Sequence, residues 1–224
     1  MPEKFGDIIY TALKNHYDIK HEEFVVSFTS GKSLFEALIA VILSQNTNDK
    51  NAIKALSALK SELGEITPEN ILRIRDRLED LLRPAGLQKN RAGTILKLAE
   101  IFSTKGYEDE LRRKIQELPV EKAREILRSL PGVGDKTSDV ILLMFFNKPV
   151  FPVDTHIRRI TLRMGVVQSS SYNNISKFWL QNTSPENLLP LHLLLITHGR
   201  EICKARKPLC ESCPISEHCR RLGL

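Results

Sequence analysis

Hydrophobic positions along this chain recur at helical spacing, and short segments with proline or glycine separate them. Leu34–Leu43 is apolar nearly all round, which predicts a fully buried helix. A second helix is predicted to start at Asn48 or Asp49 and to end at Gly64. Four further helices are predicted: one starts at Thr67-Pro68-Glu69, one spans about Lys89–Ser103, one runs from Pro119 to near Ser129, and one runs through Phe146. Strand signals are almost absent, so we predict an all-α fold.

The length of 224 residues is compatible with one large domain or two modest ones. The longest apolar runs, Ala37–Leu43 and Val140–Phe146, are far shorter than the roughly 20 residues of a membrane span. The mixed polar segment Met1–Tyr10 does not resemble a secretory signal. We therefore expect a soluble, cytoplasmic protein without a membrane partner.

Charge and cysteine content indicate the kind of partner and cofactor. The net charge of +6 suits a phosphate-rich partner, although many basic proteins bind no nucleic acid. All four cysteines lie near the C-terminus in a Cys-x6-Cys-x2-Cys-x5-Cys pattern, whereas disulfide-bonded proteins usually scatter theirs. Four thiolates suit zinc or a 4Fe–4S cluster, and zinc ribbons usually have two Cys-x2-Cys units. The residues predicted to bind the zinc ion or the cluster are Cys203, Cys210, Cys213 and Cys219.

The segment Leu130–Thr137, Leu-Pro-Gly-Val-Gly-Asp-Lys-Thr, separates two predicted helices. Its two glycines permit unusual backbone conformations and the close approach of another molecule. The N–H groups of the following helix start favour an anion such as a DNA phosphate. The alternative is an ordinary turn between helices.

This hairpin, followed by Val153-Asp154-Thr155-His156, resembles the helix-hairpin-helix and downstream aspartate of the endonuclease III family. The resemblance extends to Leu43–Asp49 upstream and to His198-Gly199-Arg200 and the four cysteines downstream. It covers most of the chain from about Ser33 to Cys219. The six–two–five cysteine spacing matches the 4Fe–4S loop of that family, which favours the cluster over zinc.

The resemblance implies a bifunctional DNA glycosylase and abasic-site lyase acting on damaged duplex DNA. Lys136 would attack C1′ of the damaged nucleotide, form a Schiff base and permit β-elimination, while Asp154 would stabilise the positively charged sugar. Alternatively, Lys136 is a solvated lysine at a helix start and Asp154 is a helix N-cap, a role compatible with catalysis. The family often has a basic residue where this chain has Asp135, which we expect to alter affinity or substrate range and to ion-pair with Lys136.

Either Gln45 or Asn46 is expected to fill the gap left by the extruded nucleotide, unless both bond to the backbone of a helix-capping turn. His156 is either a phosphate contact or a structural residue. Basic residues of the cluster loop are expected to meet the DNA backbone. The full set of predicted DNA-binding residues is Gln45, Asn46, Leu130, Gly132, Val133, Gly134, Thr137, His156, Lys204, Arg206 and Lys207.

The family architecture implies two helical domains flanking a DNA-binding cleft: residues 29–148 with the hairpin, and residues 1–28 with 149–224, which carry the cluster loop. Expected substrates are oxidised or ring-saturated pyrimidines and abasic sites, bound by a nucleoid-associated monomer. The alternatives are a mismatch or adenine glycosylase, a non-catalytic DNA-binding module and a zinc-dependent nucleic-acid binder. Mismatch and adenine glycosylases usually lack the hairpin lysine.

Overall fold

A computed structural model describes residues 3–19, 24 and 33–224, and this part of the chain contains helices and no strand. The predicted all-α fold is therefore confirmed. The α-helices are α1 (Phe5–Lys14), α2 (Leu34–Ser44), α3 (Asp49–Leu63), α4 (Pro68–Arg73), α5 (Leu78–Leu82), α6 (Gln88–Phe102), α7 (Tyr107–Glu117), α8 (Val120–Arg128), α9 (Asp135–Met144), α10 (Thr155–Met164), α11 (Tyr172–Gln181) and α12 (Leu188–Glu201). Short 3₁₀ turns lie at Arg75–Arg77, Arg83–Ala85, Pro185–Asn187, Cys210–Ser212 and Ser216–His218.

Contacts divide the chain into one unit of Lys20–Asn147 and another of Met1–Ile19 with Lys148–Leu224. The predicted domain boundary at Thr29 lies outside the described residues. None of the helices in the described part of the chain combines the length and apolar character that crossing a bilayer requires.

The unit Lys20–Asn147 is built around α2, whose residues Leu34–Leu43 are all buried, as the sequence predicts. Ser33 caps α2 by accepting a hydrogen bond from the Glu36 amide at 3.1 Å. Asn48 and Thr67 cap α3 and α4 in the same way, and Gly64 ends α3 with a φ of 72°. These caps follow directly from side chains that compete for the first unpaired helix amides.

One predicted helix end is wrong. The helix expected to run through Phe146 ends at Met144, because Phe145 is already its C-cap and Asn147 adopts a left-handed φ of 50°. Phe145 and Phe146 instead pack edge to face, with ring centroids 5.2 Å apart.

The second unit packs α1 and α10–α12 around the fully buried side chain of Trp179. The Trp179 indole stacks on Phe151 at 5.8 Å between centroids and donates to Thr161 Oγ1 at 2.8 Å. Asp7 of α1 accepts hydrogen bonds from Ser184 and Asn187 ahead of α12. Although burial opposes its charge, these hydrogen bonds hold the pKa of Asp7 below its usual value. The two ends of this discontinuous unit are therefore tied by hydrogen bonds.

Candidate active site and cluster loop

The hairpin, defined as Leu130–Gly134, connects α8 to α9. The side chains of Leu130 and Val133 are buried, and the Val133 amide donates to the Leu130 carbonyl at 3.2 Å. These two side chains therefore pack into the unit and are not exposed to a partner. Beneath the hairpin, the fully buried carboxylate of Asp139 accepts from Arg124 Nε at 2.7 Å, which joins α9 to α8.

The two hairpin glycines have different roles. Gly132 has a φ of 76°, and a Cβ atom there would lie 2.5 Å from the Thr94 methyl carbon, so this position requires glycine. Gly134 has an ordinary φ of −102°, and a Cβ atom would meet nothing within 4 Å. Gly134 therefore leaves open space over the start of α9, where no side chain caps the helix.

Lys136 is the second residue of α9 and is half-buried. The preceding carboxylate, Asp135, pairs with Arg128 of α8 at 3.1 Å. The acidic residue that departs from the family pattern thus helps to fix the hairpin between its two helices.

Gln45 and Asn46, which follow α2, have different surroundings. Gln45 Nε2 donates to the Gly132 carbonyl at 2.9 Å and to Thr137 Oγ1 at 3.1 Å. Asn46 is exposed and has a left-handed φ of 52°, a conformation that asparagine tolerates better than most residues. Gln45 is the C-cap of α2, as the alternative of a helix-capping turn predicts, and its side chain in addition bonds to the Gly132 carbonyl of the hairpin.

Asp154 begins α10 and caps it, with Oδ1 accepting from the Ile157 amide at 2.8 Å. The predicted N-cap role is therefore present. His156 Nδ1 lies 3.1 Å from Arg159 Nη2, and the His156 ring packs directly on Gly199 of α12, where a Cβ atom would approach within 2.6 Å. His156 has structural partners in its own unit, and a phosphate contact for it stays a prediction.

The four cysteines line one cavity at the end of α12, together with apolar side chains such as Ile160 and Ile215. Among the described residues, no three histidine, cysteine, aspartate or glutamate side chains are placed to hold a single metal ion. Four cysteines around one cavity suit a metal centre that all four thiols bind.

Electrostatics also favour a positively charged group in this cavity. Burial raises the pKa of Cys213, and negative charge on Cys203, Cys219 and Cys210 raises it further. Thiolates so close together need compensating cations, which iron supplies. The residues present therefore fit an iron–sulfur cluster.

Side chains behind the cysteines orient them. Arg163 Nη1 donates to Cys203 Sγ at 3.4 Å and to the Lys204 carbonyl at 2.7 Å. Burial, with a smaller contribution from positive charge on His16 and Arg159, lowers the pKa of His198 to about 4, so its ring is neutral near pH 7. Burial raises the pKa of Tyr17, whose hydroxyl oxygen lies 3.0 Å from His198 Nδ1, and the other ring nitrogen of His198, Nε2, lies 3.6 Å from Cys213 Sγ.

Sequence reasoning assigned no role to Arg91, Arg159 or Arg163, all of which bind main-chain carbonyls. Arg159 donates to the carbonyls of Cys203 and Gly199, both at 2.8 Å. The one available signal was the four-residue spacing of Arg159 and Arg163 on α10, which places both on one helix face. The basic loop residues that the sequence did single out, Lys204, Arg206 and Lys207, are exposed.

Comparisons with known proteins bear on the identity of this arrangement. Residues 39–185 match the HhH-GPD superfamily of base excision DNA repair proteins, and residues 203–219 match the iron–sulfur binding domain of endonuclease III. Endonuclease III of Sulfolobus acidocaldarius is 41% identical over 216 residues, which cover 95% of this chain and 94% of that protein.

Comparison with solved structures agrees with these sequence matches. A trapped endonuclease III–DNA covalent intermediate superposes with a TM-score of 0.76 and 30% identity, covering 96% of this chain and 92% of that one. A thermostable thymine-DNA glycosylase, 21% identical with a TM-score of 0.71, shares the fold. The prediction of a 4Fe–4S cluster is confirmed by the match to the iron–sulfur domain, and all four cysteines lie within the matched residues. The chain thus belongs to the endonuclease III family of helix-hairpin-helix DNA glycosylases, with a 4Fe–4S cluster domain at its C-terminal end.

Proposed function

We propose that this glycosylase is bifunctional: it removes oxidised or ring-saturated pyrimidines from duplex DNA and then cleaves the strand 3′ to the abasic site. The observation that carries the proposal is a half-buried lysine at the second position of the helix that follows the glycine hairpin. A cation at a helix start is mildly unfavourable without a functional reason. In the structural relative named as a trapped covalent intermediate, the protein is bonded to DNA.

In the proposed reaction, the neutral Lys136 amine attacks C1′ of the nucleotide as the N-glycosidic bond breaks and its electron pair leaves with the base. The alkylated amine loses a proton and the base takes one up. The C1′–O4′ bond then breaks, O4′ takes up a proton, and the nitrogen lone pair forms a protonated Schiff base between Lys136 and C1′. Loss of the C2′ proton then expels the 3′ phosphate, and water releases the enzyme. The Asp154 carboxylate stabilises the positive charge that develops on the sugar.

Several of the described residues are suited to binding DNA. The open main chain at Gly134 and the uncapped amides of α9 suit a phosphate oxygen, and the exposed Lys204, Arg206 and Lys207 suit the strand backbone. Asn46, exposed on a tight turn, is the better candidate to fill the gap left by the extruded nucleotide. The four cysteines would hold the cluster, which would order the basic loop, and its chemistry would be one-electron transfer with no hydrolytic step.

Borohydride trapping tests the proposal, because it reduces a Schiff base to a stable covalent adduct. We expect adducts with duplexes that contain one thymine glycol or one abasic site, and none with undamaged duplex. Mobility on a denaturing gel measures the adduct, and gel shift without borohydride measures binding.

Three other outcomes would change the assignment. An adduct with the abasic duplex alone would retain the lyase and reopen the choice of base. An adduct with a thymine–guanine mismatch would indicate a mismatch glycosylase. Binding without an adduct on any duplex would favour a monofunctional enzyme or a DNA-binding module.

A further inference from the structure

Arg91 of α6 is a buried cation, 5% exposed, whose hydrogen-bond acceptors are main-chain carbonyls. Nη1 donates to the Ile42 carbonyl at 2.5 Å, and Nη2 donates to the carbonyls of Gln45 and, at 3.2 Å, Ala85. Nε donates to the Gly86 carbonyl at 2.7 Å. One guanidinium therefore joins the end of α2 to the turn that precedes α6.

The position of Arg91 suits a cation. The carbonyls of Ile42 and Gln45 belong to the C-terminal end of α2, where unpaired carbonyls and the helix dipole favour positive charge. Because the guanidinium is a rigid planar fork, it can bind both segments at once, which a single ammonium cannot do.

Gln45 extends this connection to the hairpin. Its carbonyl is bound by Arg91, and its side-chain amide donates to the Gly132 carbonyl and to Thr137 Oγ1. Arg91, Gln45 and Gly132 thus form a continuous chain of hydrogen bonds. It runs past the wedge turn, defined as Gln45–Thr47, to the loop that precedes Lys136.

We propose that Arg91 and Gln45 are positioning residues that hold the wedge turn and the hairpin in one fixed arrangement, ready to receive an extruded nucleotide. Gln45 then has a structural task, and Asn46 is the residue that enters the duplex. The part concerning extrusion rests on the proposed function. The physical coupling of the two loops does not.

Amide hydrogen exchange followed by mass spectrometry tests the coupling on the cluster-loaded protein. In Arg91→Lys, peptides covering residues 43–48 and 131–137 should exchange about tenfold faster or more, as expected when hydrogen bonds to a charged group are lost. In Gln45→Ala, only residues 131–137 should do so. Arg83→Lys changes an exposed arginine of the same turn, which pairs with Asp80, and should alter neither peptide.

Single-turnover cleavage then tests the role in extrusion. Arg91→Lys should lose at least tenfold in rate on a thymine glycol paired with adenine. It should lose less than threefold when the same lesion lies in a one-nucleotide bulge, where less stacking must be broken. Asn46→Ala should show the same substrate dependence with unchanged exchange at residues 131–137.

Unchanged exchange at residues 131–137 in Arg91→Lys would overturn the coupling. Equal loss of rate on paired and bulged lesions would overturn the role in extrusion. If the wild type cleaves neither substrate, the proposed function fails, and the exchange results still decide whether the two loops are coupled.

Discussion

Replacement of Lys136 by glutamine is expected to abolish both borohydride trapping and strand nicking, with at least a 10⁴-fold loss of rate, while binding to damaged duplex is retained. Glutamine is one atom shorter than lysine and can still donate hydrogen bonds, but its amide nitrogen is not a nucleophile and cannot form a Schiff base. The base-removal step should be lost with the nicking step, because the same amine is proposed to displace the base. Rates of base release and of nicking, measured separately on a thymine glycol duplex, check this.

Lys89→Gln is a matched control for that experiment. Lys89 is an exposed lysine at the second position of α6, just as Lys136 is the second residue of α9. The control should cleave at the wild-type rate, which separates nucleophilic chemistry from a general effect of lysine at a helix start. A Lys136→Gln protein that still forms adducts would place the nucleophile elsewhere. One that still releases base without nicking would assign Lys136 to the lyase step alone.

Features that depend on neighbouring residues could be predicted from the sequence. The run Leu34–Leu43, apolar except for Glu36, is a buried helix, because apolar side chains on nearly every side leave no face for water. Caps at Asn48 and Thr67 follow from side-chain oxygens placed three residues before an unpaired amide. Four closely spaced cysteines could bind a common group because the loop between them is short.

Features that depend on distant partners could not be predicted. Arg91 looks like any polar residue at a helix start, and its burial follows from carbonyls that the fold brings to it. Gln45 and Asn46 are adjacent and chemically alike, so the sequence could not decide which one was free. What distinguishes them is a hydrogen bond from Gln45 to Gly132, which lies 87 positions further along the chain. Asp135 pairs with Arg128, a partner that the sequence did not indicate, because α8 and α9 pack side by side.

The substitution Asp154→Asn is expected to separate the two roles of this residue. Asparagine is as good an N-cap as aspartate, so the hydrogen bond to the Ile157 amide and the melting temperature should be kept. Its side chain is neutral and cannot stabilise the cationic sugar, so the cleavage rate should fall by about 10²- to 10³-fold. Single-turnover rates and thermal melts of the same preparations check both statements.

Asp154→Ala completes the comparison, because alanine lacks both the charge and the cap. It should lose the same activity as Asp154→Asn and, in addition, about 1 kcal/mol of stability, which for a chain of this size lowers the melting temperature by roughly 2–4 °C. Full activity in Asp154→Asn would mean that the side chain serves as a cap alone. Equal melting temperatures for the Ala and Asn variants would mean that the hydrogen bond to Ile157 makes no measurable contribution to stability. The loss of activity would then be due to the loss of the charge alone.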